Sequence, residues 1–135
     1  MLRRDPRHPG CGLGALALAE AARDAALAAA KIDDRALDAG AYTALGALYY
    51  KVPGWPIGFG NDRKAKDYLD RALAIAPGAV DVNYFYGDFM LEQGEKAKAR
   101  AFLEKALQAP ARPGRADEDQ GRKREIEAEL ARLDG

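Results

Sequence analysis

A set of small and apolar residues recurs in this chain at an offset of 34 residues. The two copies are Ala65, Leu69, Ala72 and Ala99, Leu103, Ala106. Each copy has the spacing i, i+4, i+7, which places its three side chains on one face of a helix. A helical face that recurs at a fixed interval of this size is typical of a solenoid, in which stacked units share a core. Stacked units present surface, so the pattern predicts a binding scaffold and not an enzyme.

The bulk composition narrows the class of protein further. The 135 residues are enough for one domain that buries its own core. Twenty-one basic and 21 acidic residues give a net charge of zero, which argues against nucleic-acid and anionic-membrane partners. Cys11 and His8 are the only residues of their types, so we expect no zinc site, no histidine-dependent triad and no cofactor. No apolar run approaches the ~20 residues that span a bilayer.

Other residues also occur at matching positions in the two copies. The first helix of each unit carries a large apolar residue, a glycine and then an aromatic or methionine: Leu45, Gly46, Tyr49 and Tyr86, Gly87, Met90. Pro77 and Pro110 close the two units, and Gly94 makes the turn of the second. A partial third match has Ala22, Ala26 and Ala29 with Asp34 in the proline position. Over roughly residues 15–110 the chain resembles the tetratricopeptide repeat, a helix–turn–helix unit.

This resemblance implies an all-α, tetratricopeptide-like solenoid of about six helices. We expect a loose tail at 1–13, a half repeat at 14–38, a repeat at 39–77 with an insertion at 51–61, a repeat at 78–110 and a capping helix at 117–134. The expected helices are about Gly14–Lys31, Gly40–Lys51, a third from Asn61 or Asp62 to the residue before Pro77, Val80–Gln93, Lys96–Gln108 and Asp117–Leu133. Asp62 is the expected N-cap of the third helix.

Glycines inside the first helix of each unit need a physical reason. A glycine in a helix costs about 1 kcal/mol relative to alanine. Close crossing of the second helix over Gly46 and Gly87 supplies that reason, because no side chain then stands between the two backbones.

The two ends of the solenoid differ. The last helix has a narrow apolar stripe among charges, which suits a polar cap. The first helix is the second half of a unit without its first half, so its partner face is expected to be exposed. A truncated chain, a tail folded over the gap, or self-association through this helix would each account for it. Met1-Leu-Arg-Arg before Leu13–Ala19 faintly resembles a signal peptide, although Glu20 interrupts the apolar run.

The segment Lys51–Gly60 interrupts the first complete repeat and is about seven residues longer than a standard turn. It contains the only tryptophan, two prolines and three glycines. It is too apolar for disorder, so we expect an ordered surface loop. Its side chains Trp55, Ile57 and Phe59 either pack onto the neighbouring helices or face a ligand.

The repeat register also predicts a concave groove between the first helices of the units. The expected partner-binding residues are Thr43, Ala47, Tyr50, Trp55, Phe59, Tyr84 and Asp88. Members of the family that bind chaperones clamp a peptide carboxylate with Lys and Asn, and this chain has neither at the matching places. Tyrosine faces and Asp88 suit an apolar or cationic segment better.

These observations predict a non-enzymatic scaffold that binds a protein or peptide through the groove and the Trp55 loop. The alternative is a carrier of a small apolar ligand in a groove closed by the aromatic loop. Val52–Gly60 and Asn83–Asp88 are in addition similar to bacterial proteins related to the T component of TRAP-type transporters. That resemblance implies a periplasmic, oligomeric partner of a substrate-binding subunit. We expect the periplasm if the native N-terminus lies further upstream, and the cytoplasm otherwise.

Overall fold

Six helices make up the computed structural model, which describes the backbone of residues 10–134 and the side chains of residues 14–134. They are α1 (Gly10–Ile32), α2 (Ala36–Lys51), α3 (Asp62–Ile75), α4 (Val80–Glu92), α5 (Lys96–Leu107) and α6 (Ala116–Asp134). Within the described range there is no β-strand, only one isolated bridge between Gly54 and Gly60. The predicted all-α helical-repeat fold is confirmed.

The start of α1 and the N-cap of α3 differ from the sequence-based expectation. Residues 10–13, expected in the tail, belong to α1, and the rest of the expected tail lies outside the described residues. The prediction of Asp62 as an N-cap is wrong, because Asn61 caps α3. The Asn61 side chain accepts a hydrogen bond from the Lys64 backbone N–H at 2.9 Å, and Asp62 is the first helical residue. Both residue types suit an N-cap, and the extended backbone of Asn61 decides between them.

The start of α2 contains a left-handed turn. Leu37, Asp38 and Ala39 have φ angles of 52°, 56° and 64°, which non-glycine residues adopt rarely. The right-handed part of α2 therefore begins at Gly40, the residue at which the sequence predicts it.

Two helix pairs form the centre of the molecule, α2 with α3 and α4 with α5. A Cβ atom added to Gly46 would lie 2.6 Å from Leu69 Cγ, and one added to Gly87 would lie 2.8 Å from Leu103 Cγ. Both leucines are fully buried. The two glycines therefore permit the close helix crossing that the sequence predicts at these positions.

The ends of the stack are covered unequally. Ile126 of α6 is fully buried against Val80, Tyr84 and Leu103, so α6 closes the second pair. At the other end, α2 is the one helix among the described residues on which α1 packs. The alanine and leucine sets of α3 and α5 are completely buried, whereas Ala22 and Ala29 of α1 are exposed.

A charged cluster joins α6 to α4. The Arg112 backbone N–H and Nε donate to Asp119 at 3.0 and 2.7 Å, and Arg112 Nη1 lies 3.3 Å from Asp81 Oδ2. Arg122 Nε of α6 donates to the other Asp81 oxygen at 3.1 Å. Hydrogen bonds from the Arg112 side chain and backbone N–H hold the pKa of the Asp119 carboxyl low. Arg112 and Arg122 together fix α6 on the repeat.

Candidate functional site

The connection between α2 and α3 is an ordered loop held by backbone hydrogen bonds. The Asn61 N–H donates to the Tyr49 carbonyl and the Gly60 N–H to the Pro53 carbonyl, both at 2.8 Å. Within the loop, the N–H groups of Ile57 and Gly58 donate to the Gly54 carbonyl. The peptide bond between Trp55 and Pro56 is cis. These contacts fix the backbone, so the side chains of the loop have defined directions.

Glycine is required at the end of this loop. A Cβ atom on Gly60 would lie 1.8 Å from the Val52 carbonyl oxygen, which no other residue tolerates. The close approach brings the two ends of the loop together beside Tyr49.

The aromatic side chains of the loop point in different directions. Phe59 is half-buried and meets Tyr49 edge to face, with ring centroids 5.3 Å apart. The Arg23 guanidinium of α1 lies 4.6 Å from the centre of the Phe59 ring. Trp55 is 90 % exposed and Ile57 is 72 % exposed. Phe59 thus anchors the loop, while Trp55 and Ile57 face solvent.

An open hollow of about 500 Å³ lies between α1, α2, α4 and the segment before α6. Two of the expected groove residues, Thr43 and Ala47, line it. Its other lining residues are Ala22, Leu37, Asp38, Gly40, Ala44, Leu48, Lys51, Ala79, Asp81, Phe85 and Arg112. Most of these side chains are apolar, so the hollow suits an apolar group with a few polar contacts.

The remaining groove residues lie below the surface. Tyr50 and Tyr84 are 8 % and 7 % exposed. The Tyr50 hydroxyl donates to Asp88 Oδ2 at 2.6 Å, and Lys51 Nζ lies 3.9 Å from the same oxygen. Burial first, and the Asp88 carboxylate second, raise the pKa of Tyr50 well above its usual range. The structure therefore uses these three side chains as packed neighbours, and partner contact at all seven expected residues stays a prediction.

Phe85 is the aromatic residue that lines the larger hollow, and it was not among the residues expected from the sequence. Lys51 Nζ lies 5.6 Å and Arg122 Cζ 4.9 Å from its ring centre. Arg122 also lies 4.4 Å from the Tyr84 ring centre. Because α4 is buried on several sides, its sequence shows no clear alternation that would separate Phe85 from Tyr84.

A second hollow of about 250 Å³ lies between α1 and the loop. It is lined by Ala15, Leu16, Ala19, Lys51, Val52, Pro53 and Ile57. Lys51 also lines the larger hollow, and Ala15, Ala19 and Ala22 follow one another at i, i+4 and i+7 along α1. One apolar wall of α1 therefore borders both hollows.

Helix α6 carries a buried carboxyl group close to Asp88. Glu129 of α6 is 5 % exposed, and its Oε2 atom has no hydrogen-bond partner. Burial raises the pKa of Glu129 to about 8, with a further contribution from Asp88. Arg132 Nη2 at 3.5 Å from Oε1 opposes this rise. At neutral pH the proton on Glu129 therefore limits the repulsion between the Glu129 and Asp88 carboxyl groups.

Among the described residues, no group of three His, Cys, Asp or Glu side chains is placed to hold a metal ion. None of the six helices, as far as the structure describes them, has the length and apolar character of a membrane span.

Comparison with known proteins gives one family match. Residues 60–117 match the family described as tetratricopeptide repeat. No curated protein matches the sequence. The finer resemblance to the T component of TRAP-type transporters gains no support. Tetratricopeptide repeats generally mediate protein–protein interaction and are in general non-enzymatic scaffolds. The six-helix repeat fold and this match together support a protein of the tetratricopeptide-repeat type.

Proposed function

We propose that this chain is a non-enzymatic scaffold that binds a peptide or a protein segment along its concave side and beside the Trp55 loop. The single observation that carries the proposal is the position of Lys51, which lines both hollows. The surface from Ile57 to Phe85 is therefore continuous. A peptide in extended conformation rises about 3.3 Å per residue, so a few residues suffice to cross from one hollow to the other.

The chemistry of the surface favours an apolar segment over a cationic one. Asp81 and Asp88 already have partners within the chain, in Arg112, Arg122 and Tyr50. The rings of Tyr84 and Phe85 are likewise faced by the chain's own cations. Lys51 is half exposed and offers a donor to a backbone carbonyl of the ligand. Trp55 and Ile57 add large apolar side chains at one end, which are well suited to dominate the binding energy.

The resemblance of the loop and of Asn83–Asp88 to T components extends the proposal to a partner from a bacterial transport system. Those two segments alone support this extension. The partner would then be a protein surface that receives Trp55.

A carrier of a small apolar ligand is the second candidate. The volume of the larger hollow, about 500 Å³, lies within the range of small-ligand sites, roughly 300–1,000 Å³. Against this, Trp55 points into solvent, whereas a carrier needs the loop to close over its ligand.

The test uses a phage-displayed library of random 12-residue peptides selected on the full chain. We expect the enriched peptides to share apolar residues. Their binding is then measured by fluorescence anisotropy on three variants. Ala44→Glu places a charge in the larger hollow and should weaken binding at least tenfold. Trp55→Ala should weaken it several-fold, and Ala74→Glu, at an exposed position on α3, should leave it unchanged.

Two outcomes would count against the scaffold. If the selection enriches no peptides, the chain does not bind peptides. If the enriched peptides bind the wild type and Ala44→Glu with equal affinity, the larger hollow is not the binding site. Saturable, stoichiometric binding of 1-anilinonaphthalene-8-sulfonate that Ala44→Glu abolishes, in the absence of peptide enrichment, would favour the carrier.

A further inference from the structure

The side of α1 that faces away from α2 is apolar, and the described residues do not cover it. Among the exposed large apolar side chains of the described residues, Leu18, Ile32 and Leu37 all lie at this end of the molecule, at 74 %, 86 % and 77 % exposure. The half-buried residues of α1, such as Ala19, Arg23, Ala26 and Ala30, lie on the opposite face, against α2.

The uncovered face has a heptad pattern. Its exposed apolar residues alternate in steps of three and four: Leu18, Ala21, Ala25, Ala28 and Ile32. This is the a/d spacing with which one helix packs along another. Alanine at the centre allows the two helix backbones to approach closely, and the larger side chains lie at the ends.

We propose that this face pairs with the same face of a second copy, with the two α1 helices antiparallel about a two-fold axis. In this register Ala25 lies opposite Ala28 of the second copy, and Ala21 lies opposite Ile32. The surface is self-complementary, as a two-fold interface requires. Leu18 of each copy comes beside the end of α1 and the Leu37 turn of the other.

The charged residues beside the heptad face favour the antiparallel orientation over the parallel one. Asp24 and Lys31 occupy the g positions that flank the heptad face, and both are exposed. The antiparallel register places Asp24 of each copy beside Lys31 of the other, twice by symmetry. A parallel pair would place each of these charges beside an alanine, Ala29 or Ala36. Asp24 contacts Arg23 Nε through one oxygen, which leaves its other oxygen for Lys31.

The expected dimer is weak. One helix from each copy, with alanine at the centre of the contact, buries less area than the roughly 1,200–2,000 Å² of stable interfaces. Association is therefore expected to depend on concentration over the micromolar range. The hollow beside Phe85 shares Ala22, at the edge of this face, and Leu37 with the proposed interface. The heptad residues Leu18, Ala21, Ala25, Ala28 and Ile32 do not line the hollow, so the test of the dimer is separate from the test of peptide binding.

Sedimentation equilibrium of the full chain between about 5 and 500 µM tests the proposal. The average mass of the wild type should rise from 14.6 kDa towards twice that value. Ala25→Glu should remain at 14.6 kDa, because it places two like charges in the apolar seam. Ala101→Glu, at an exposed position on α5, is the matched control and should behave as the wild type. Circular dichroism checks that both variants are folded.

Charge reversal tests the register. Asp24→Lys and Lys31→Asp should each weaken self-association about fivefold or more, because each brings two pairs of like charges together. An equimolar mixture of the two variants restores both opposite-charge pairs between different chains and should associate about as well as the wild type. A wild type that stays monomeric at 500 µM, or an Ala25→Glu variant that dimerises normally, overturns the proposal. A mixture without rescue overturns the antiparallel register.

Discussion

The two complete helix pairs have the same interior and different connections. In both, a leucine packs into the space left by a glycine, Leu69 over Gly46 and Leu103 over Gly87. The leucines are 34 residues apart and the glycines 41, and the difference of seven residues is the inserted part of the Trp55 loop. In the α4–α5 pair, Gly94 with φ of 80° makes a short turn instead.

This comparison shows that the helix crossing and the connection are independent of each other. The entropy of closing a loop grows only slowly with its length, by roughly 0.6 kcal/mol per doubling. An insertion at the end of a helix pair therefore leaves the packing at its centre unchanged. The repeat provides a rigid base, and the loop adds an exposed Trp55 to it.

The largest expected effect tests whether the two interiors are equivalent. Gly46→Ala and Gly87→Ala place a Cβ atom 2.6–2.8 Å from a fully buried leucine. Each substitution should lower the free energy of unfolding by about 1–3 kcal/mol, although alanine is the better helix former. Guanidinium chloride unfolding measures both. A loss in only one of the variants would show that the two crossings are not equivalent.

Gly121→Ala in α6 provides the control for this pair. A Cβ atom at Gly121 would meet nothing within 4 Å. The same substitution should therefore raise the free energy of unfolding, by up to about 1 kcal/mol. A loss of stability at Gly121 would indicate that the effect at the other two glycines does not come from the leucine contact.

The next effect concerns the Trp55 loop, which connects α2 to α3 and has no counterpart in the α4–α5 pair. Phe59→Ala removes the edge-to-face contact with Tyr49 and should cost about 1–2 kcal/mol. Trp55→Ala should change the free energy of unfolding by less than about 0.5 kcal/mol, because the Trp55 side chain is exposed. Thermal unfolding compares them directly. Equal destabilisation would mean that Trp55 is packed, and would remove it as a binding residue.

The last effect concerns α6, the helix that covers only the second pair. Under α6, the folded state keeps a proton on Glu129 up to a pH of about 8, whereas the unfolded chain releases it near the usual pKa of about 4.3. The contribution of Glu129 to stability is therefore full below about pH 4 and is lost as the pH rises through 8. Glu129→Gln should be similar in stability to the wild type at pH 4.5 and should be the more stable of the two at pH 8.5.

Glu127→Gln on the exposed side of α6 is the matched control for this measurement. It should leave the pH dependence of unfolding as in the wild type. If Glu129→Gln has the same pH dependence as the wild type, Glu129 is ionised in the folded protein and the raised pKa is wrong.

The fold could be predicted from the sequence because its signals are local. The periodic faces, Gly46, Gly87 and the closing prolines mark each helix and its partner without reference to distant residues. The sequence predicts Asp62 as the cap of α3 and the structure has Asn61. Both residue types can cap a helix, and the extended backbone at Asn61 shows which of the two does so. The site was harder to predict. Tyr50, Tyr84 and Phe85 are all aromatic and lie on the first helices, but two are buried and one lines the hollow.

That this chain forms stacked helix pairs follows from its sequence, because helical periodicity and glycine spacing record which faces must come close. Which side chains remain open to a partner depends on how the helices and the loop pack together. Trp55 and Phe59 are four residues apart in one apolar loop, and backbone hydrogen bonds turn one outward and the other onto Tyr49. Exposure depends on what distant residues already cover, so it is a property of the assembled fold.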